Sequence, residues 1–171
     1  LKSETASKEF DGTALTRPDV TITAGDFVKG EVESVEATGS ITEAGTTTNT
    51  IQINGVAGKY KEDNYKITKD EGTLTITKIA QKVTFTAASD HKEYDGTALS
   101  NETVTMSGLP AGYNFTASAV GSVTHVNEGK VKNVVNKDSV HIYKEGKDVT
   151  NQFADIQYTD GELSITPRKL T

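Results

Sequence analysis

Apolar and polar residues alternate with a period of two along most of this chain, and no segment of useful length carries a 3.6-residue apolar period. Val83-Thr84-Phe85-Thr86-Ala87 places three apolar side chains on one face and threonine on the other. The same alternation runs through Val20-Thr21-Ile22-Thr23, Val104-Thr105-Met106-Ser107, Thr73-Leu74-Thr75-Ile76-Thr77 and Glu162-Leu163-Ser164-Ile165-Thr166. Each predicts a strand with one buried face. Thr50-Ile51-Gln52-Ile53 and Val134-Val135 predict one more strand in each half, and Val32/Ser34 and Phe115/Ala117 keep the pattern in the middle. A helix starting near Val32 would be bracketed by Gly30 and Gly39 within two turns, so none is expected. Asp11-Gly12 and Asp95-Gly96 predict turns with positive φ, as in a type I′ hairpin, with Phe10 and Tyr94 as core plugs before them. Closing hairpins are expected from Asn64–Ile67 to Thr73–Thr77 through Asp70-Glu71-Gly72, and from Phe153–Tyr158 to Glu162–Thr166 through Asp160-Gly161.

These elements occur twice. Lys8-Glu9-Phe10-Asp11-Gly12-Thr13-Ala14-Leu15 returns 84 residues later as Lys92-Glu93-Tyr94-Asp95-Gly96-Thr97-Ala98-Leu99, with seven of eight residues identical. Gly39-Ser40-Ile41-Thr42 returns as Gly121-Ser122-Val123-Thr124, and Gly45 corresponds to Gly129. The chain therefore reads as two tandem β domains, 1–79 and 80–167, with 168–171 opening a following repeat or a tail. Lys169-Leu170-Thr171 mirrors Lys82-Val83-Thr84, which predicts a third repeat. Leu1-Lys2-Ser3 starts mid-pattern, without the beginning of the strand that Val83 opens in copy two, as in a piece cut from a longer chain. The connector Lys78-Ile79-Ala80-Gln81-Lys82 has neither Gly nor Pro, which predicts domains arranged end to end with limited bending. The copies diverge at 26–35 and 109–118.

Composition narrows the class. Threonine is unusually frequent, 26 of 171 residues, and suits half-exposed pleated surfaces. A net charge of −6 with scattered lysines offers no basic stripe for nucleic acid. The absence of cysteine excludes disulfides, thiolate metal sites and thiol catalysis, and fits an exported protein as well as a cytosolic one. No run of 18 apolar residues spans a membrane, and no charged-then-apolar signal segment opens the sequence. Seven short strands per copy with regular turn signals predict immunoglobulin-like sandwiches, with a β-grasp-like variant as the alternative.

The opening Lys-x-aromatic-Asp-Gly-Thr, the middle Gly-Ser-Ile/Val-Thr and the closing Asn-Tyr-x-Ile with Gly-Thr-Leu-Thr-Ile-Thr resemble the YDG/MBG-type tandem repeats of bacterial cell-surface, adhesin-like proteins. The resemblance covers nearly the whole chain, twice. Copy one departs from it with Phe10 for Tyr, and copy two with Gln152-Phe153 for Asn-Tyr. It implies extracellular, all-β, non-catalytic repeats, anchored to the cell wall through other parts of a longer chain, whose partners are neighbouring repeats. It carries over no ligand.

Candidate chemistry is sparse. His91, His125 and His141 have no metal-ligand spacing. The carboxylates Glu62-Asp63, Asp70-Glu71 and Glu93/Asp95 lie in turns rather than across a sugar cleft, so no catalytic residues, cofactor or bound metal are expected. Calcium at the domain junction would draw on Asp90, Asp95, Asp70 or Glu71. Gly55-Val56-Ala57-Gly58-Lys59 is half of a phosphate loop and reads as a β-turn. Lys82 and Asn151 are the nearest candidates for an intramolecular isopeptide bond, which needs both buried beside an acid. The expected function is a stalk or spacer. The alternative is a module binding a host glycan or matrix protein through Tyr60, Tyr113 or Tyr143, or through an exposed strand edge.

Overall fold

The structure, a computed structural model, describes all residues from Leu1 to Thr171 and is all-β. Its only helical segments are four 3-10 turns of three residues. The chain divides into two compact units, Leu1–Lys78 and Ile79–Thr171. All of the connector after Lys78 thus belongs to unit 2: Ile79 is buried, its amide donates to the Gln152 carbonyl and its carbonyl accepts from the Ala154 amide.

The strands of unit 1 are β1 Lys2–Ser3, β2 Ala6–Glu9, β3 Val20–Thr21, β4 Val32–Ala37, β5 Gly45–Thr48, β6 Ile51–Gly55 and β7 Thr73–Thr77. Those of unit 2 are β8 Val83–Ala87, β9 Asp90–Glu93, β10 Val104–Ser107, β11 Tyr113–Thr116, β12 Ala119–Val120, β13 Val131–Val135, β14 His141–Lys144, β15 Lys147–Asp148, β16 Ile156–Thr159 and β17 Gly161–Thr166. The pairings repeat. β1 lies antiparallel to β3 as β8 does to β10. β2 lies parallel to β7 as β9 does to β17. β5 lies antiparallel to β7 as β13 does to β17, and β4 to β6 as β11 does to β14. The Val32–Val35 segment is strand, as its bracketing glycines predict.

The closing hairpins do not form. β16 pairs in parallel with β8, Ile156 opposite Val83, and β17 pairs in parallel with β9, Leu163 opposite Asp90, in one unbroken register. Asp160-Gly161 is therefore a bend in a strand that keeps its direction. Unit 1 does the same, with Asp70 opposite Lys2 and Leu74 opposite Ala6. The first and last strands of each unit run side by side, bend together and pass from one sheet to another. Glycine permits the bend: a Cβ on Gly161 would lie 2.2 Å from the Ala88 carbonyl oxygen, and one on Gly72 2.2 Å from that of Glu4.

A strand that changes sheets leaves a carbonyl at the bend with no ladder partner, and a buried orphan of this kind costs about 1–3 kcal/mol. A fully buried asparagine supplies the donor. Asn133 Nδ2 donates to Ala88 O and Asn101 O, both at 2.8 Å. Asn49 Nδ2 donates to the equivalent carbonyls of Glu4 and Arg17, at 3.1 and 2.9 Å. Asn49 Oδ1 accepts from Gly39 N at 3.1 Å. Asn133 Oδ1 is buried without a partner, facing Gly121, whose Cβ would come within 2.8 Å of it. The middle Gly of each copy is thus small because the asparagine lies against it.

Around this clamp the period-two pattern becomes core. Val83, Phe85 and Ala87 are buried, as are Leu74, Ile76, Leu163 and Ile165 from the closing motifs. Leu99, Val123, Leu163 and Ile165 form one cluster, with Val131 packed against it. The last residue of the opening motif meets the middle motif through the bridges Leu15 to Ile41 and Leu99 to Val123.

Asn133→Ala is expected to destabilise unit 2 by about 2–4 kcal/mol, because two buried carbonyls lose their donor. Asn133→Asp, of the same shape, should cost more at neutral pH because it sets a carboxylate against them. Urea unfolding followed by residue-resolved amide exchange measures both, with unit 1 as the internal reference.

Candidate functional site

The repeated opening motif is the natural place to look for chemistry. β2 delivers Lys8 and β9 delivers Lys92 beside the turn that follows. Lys8 Nζ donates to Asp11 Oδ1 at 2.8 Å and to Thr13 Oγ1 at 2.7 Å. The Thr13 amide and hydroxyl donate to the same Asp11 oxygen at 2.8 and 2.7 Å. Copy two repeats this: Lys92 Nζ lies 2.9 Å from Asp95 Oδ1 and 2.7 Å from Thr97 Oγ1, with the Thr97 amide and hydroxyl 2.9 and 2.7 Å from Asp95. The lysine ammonium, then the threonine hydroxyl and amide, hold both aspartates well below the usual carboxylate range. The motif closes on itself as an aspartate-capped turn.

It is not a hairpin, because β2 and β9 pair with the closing strands. The positive φ expected at its glycine is present, 82° at Gly12 and 84° at Gly96. The two aromatic positions differ. Phe10 is buried at 6 % exposure, whereas Tyr94 is 36 % exposed. The longer stretch in copy two folds into a 3-10 turn, Val126–Glu128, and His125 at its start sets its ring 5.9 Å from that of Tyr94. Backbone amides of His125 and Thr124 lower the Glu128 carboxyl. Tyr94 therefore lies against a surface turn rather than plugging the core.

The diverged region of unit 1 builds an aromatic group. Phe27 lies 5.1 Å from Tyr65 and 6.2 Å from Tyr60, and the two tyrosines stack at 5.8 Å. The Tyr65 hydroxyl donates to Glu31 at 2.5 Å and accepts from the Val28 amide at 3.0 Å. The Glu31 hydrogen bond raises the Tyr65 phenol, while burial and then Glu62 raise that of Tyr60. A Cβ on Gly55 would lie 2.4 Å from the Tyr60 ring, so the glycine seats the aromatic. The following residues form the expected turn, with Lys59 and Tyr60 amides on the Val56 carbonyl. A cleft of about 290 Å³ lies beside this group, lined by Leu1, Ile22, Phe27, Tyr65 and Ile67 among others. A second depression of about 290 Å³ borders Tyr60, Ile53 and Lys69.

Unit 2 arranges its aromatics otherwise. Tyr113 packs edge-on against buried Phe153 at 5.5 Å, with Lys144 Nζ 5.0 Å over its ring. Tyr143 lies 6.2 Å from His141. Phe85 meets Phe115 at 5.5 Å and Tyr158 at 6.4 Å. Tyr60, Tyr113 and Tyr143 are each half-buried, so none is a free-standing platform.

The remaining candidates stay apart. His91 is exposed on β9, His125 meets Tyr94, and His141 Nδ1 lies 2.9 Å from Asp148 Oδ2. Asp148 is lowered mainly by the Thr150 hydroxyl and amide. No three His, Asp or Glu side chains converge as metal ligands. Asp90 accepts from Asn101 and the His91 amide, Asp95 belongs to the motif, and Glu71 accepts from the Ile51 amide. Glu62 and Asp63 lie in an exposed 3-10 turn. Lys82 and Asn151 are both exposed, which removes the burial that an isopeptide bond requires. The buried asparagines are instead Asn49 and Asn133. No local pattern marks them, and their one signal is their spacing of 84 residues, the same as that of the opening motifs.

No family model, curated protein or solved structure matches this chain.

Asp11 and Asp95 should titrate below the other aspartates in a carboxyl carbon NMR titration. Lys92→Met should move Asp95 back toward about 4 and leave Asp11 unchanged. A depressed folded-state pKa stabilises above the unfolded value, so the motif's contribution is complete above about pH 4 and is lost as pH falls below it. Gly96→Val, with φ of 84° and open space around the site, should destabilise unit 2 by about 1–2 kcal/mol through backbone strain alone. Thermal unfolding of the two units reads that change.

Proposed function

We propose that the chain is a load-bearing spacer, two repeats of a non-catalytic stalk on a bacterial cell surface, with each unit a β-sandwich of immunoglobulin-like type. The observation that carries this reading is the parallel pairing of the first and last strands in each unit. Parallel strands that begin and end a unit place its two chain ends at opposite ends of the pair. Tension along the chain then slides the strands past each other, loading all the ladder hydrogen bonds together rather than one after another. In unit 2 four residue pairs before the bend and four after it share the load. Resistance to force is a property of the unfolding barrier, and this geometry raises the number of bonds broken on reaching it.

A second feature supports the reading. The residues that repeat between the copies hold this pair together: the aspartate-capped turn at the end of the first strand, the asparagine at its bend and the glycine opposite. The stretches that differ, 26–35 and 109–118, supply none of these three features. The resemblance to cell-surface repeats supplies the setting, extracellular and in series with further copies.

Single-molecule pulling tests the geometry, and the absence of native cysteine makes attachment simple. Lys82→Cys with Thr166→Cys applies shear to the parallel pair, and Lys82→Cys with Gln157→Cys peels it from one end. The shear pair should rupture at several-fold higher force. Equal forces would remove the support for a load-bearing role.

A further inference from the structure

Asn54-Gly55 is the one Asn-Gly step in the chain, and it lies inside β6 rather than in a loop. Packing fixes both residues there. Gly55 has no room for a side chain, because a Cβ would strike the Tyr60 ring. Asn54 lies opposite Ser34 and ties β6 to β4. Its Nδ2 donates to Ser34 Oγ at 2.8 Å and to Glu36 Oε1 at 3.1 Å, and its Oδ1 accepts from Gln52 Nε2 at 2.7 Å.

An asparagine before glycine is chemically reactive. No Cβ screens the glycine nitrogen from the asparagine side-chain carbonyl carbon, and glycine turns freely into the geometry of attack. In β6 that nitrogen is not used by the sheet. Val56 N donates to Glu31 O, so the antiparallel alternation turns the Gly55 amide, opposite Val32, away from β4, and β6 has no other neighbour. The restraint therefore lies on the other reactant. Three hydrogen bonds hold the Asn54 side chain across the strands and keep its Cγ from turning onto Gly55 N.

We propose that Asn54-Gly55 is a self-modification site, locked by Ser34, Glu36 and Gln52 and released when β4 and β6 part. On release Gly55 N bonds to Asn54 Cγ, and its proton leaves with Nδ2 as ammonia. The product is a five-membered cyclic imide. Water then opens the ring: cleavage at Cγ gives aspartate, and cleavage at the main-chain carbonyl gives isoaspartate. Neither product restores the lock. Aspartate replaces the donor to Glu36 with a second carboxylate, and like charges on neighbouring strands repel. Isoaspartate adds a methylene to the main chain of β6 and displaces Gly55 from its place opposite Val32 and against Tyr60. Unit 1 thus keeps a one-way record of having opened, because chemistry in the open state outlasts refolding. Unit 2 has no Asn-Gly step and keeps none. The site is independent of the load-bearing reading.

The test holds the unchanged chain in neutral buffer, with and without denaturing urea, and follows aspartate and isoaspartate at each asparagine by peptide mapping. Position 54 should convert at least about tenfold faster in urea than in the folded chain, and faster than any other asparagine there. After removal of urea, the converted chain should show a lowered unfolding midpoint for unit 1 and an unchanged one for unit 2. Ser34→Ala with Glu36→Ala should speed conversion in buffer several-fold while slow exchange of the Thr38 and Val56 amides shows β4 and β6 still paired. Asn54→Gln, whose ring closure is slower, should refold after the same treatment with its midpoint unmoved. Equal conversion with and without urea, an unchanged midpoint after conversion, or a paired double variant that converts no faster than the parent overturns the proposal.

Discussion

The bend in the first strand is the constraint on which each unit depends. A strand that leaves one sheet for another cannot satisfy every backbone group through ladders, and the Glu4 and Ala88 carbonyls are the ones left over. One buried amide side chain with two hydrogens solves the problem, because its second hydrogen reaches the Arg17 or Asn101 carbonyl in the segment beyond the opening motif. The partner strand must bend at the same level, and there Gly72 and Gly161 are the residues without a Cβ to strike the carbonyl. In unit 1, Ser3 adds to the arrangement by donating to the Asn49 carbonyl and accepting from the Gly72 amide. Remove the asparagine and the bend holds buried, unpaired carbonyls. Remove the glycine and the strands separate. Either change breaks the continuity of the parallel pair.

Continuity joins two short parallel pairs in separate sheets into one bent pair that holds a single register from Ile156 to Thr166. The hydrophobic pattern cooperates. Leu74 and Ile76, like Leu163 and Ile165, anchor the strand beyond the bend, and losing such a leucine costs about 2–5 kcal/mol in a close-packed core. The surface turn of Lys, Asp and Thr closes the end of the first strand. Exposed ion pairs of this kind contribute little stability each. Its value lies in fixing the chain's direction, so that Leu15 and Leu99 reach their bridges to Ile41 and Val123.

The two copies also show one scaffold carrying different aromatic groups. In unit 2, Phe85 of the first strand meets Phe115 and Tyr158. In unit 1, Phe27, Tyr60 and Tyr65 form a group of their own from the diverged stretch and the segment after Gly55. The asparagine, the glycines at the bend and the closing strand are common to both units.

Much of this was legible in the residues. Period-two alternation in Val83–Ala87 and Thr73–Thr77 determines strands with one buried face, because side chains on a pleated strand alternate sides. The repeated eight residues determine that the architecture is used twice, and within them Asp11-Gly12 and Asp95-Gly96 form the expected turns with positive φ. Direction was not legible. Asp160-Gly161 has the composition of a hairpin turn, but whether the chain reverses there depends on which strand is already alongside, and that strand lies 73 residues back in register. Burial of a polar residue was equally hidden. Asn133 sits in Val131–Val135 like any strand interruption, and nothing local says that two carbonyls 32 and 45 residues away require its amide. The sequence by itself determined the elements and their duplication, which follow from local periodicity. Only the tertiary structure decided that the Lys-Asp-Thr motif closes on itself, that the last strand runs parallel to the first, and that the bend needs an asparagine. Those follow from long-range pairing and from the requirement that every buried backbone group find a partner.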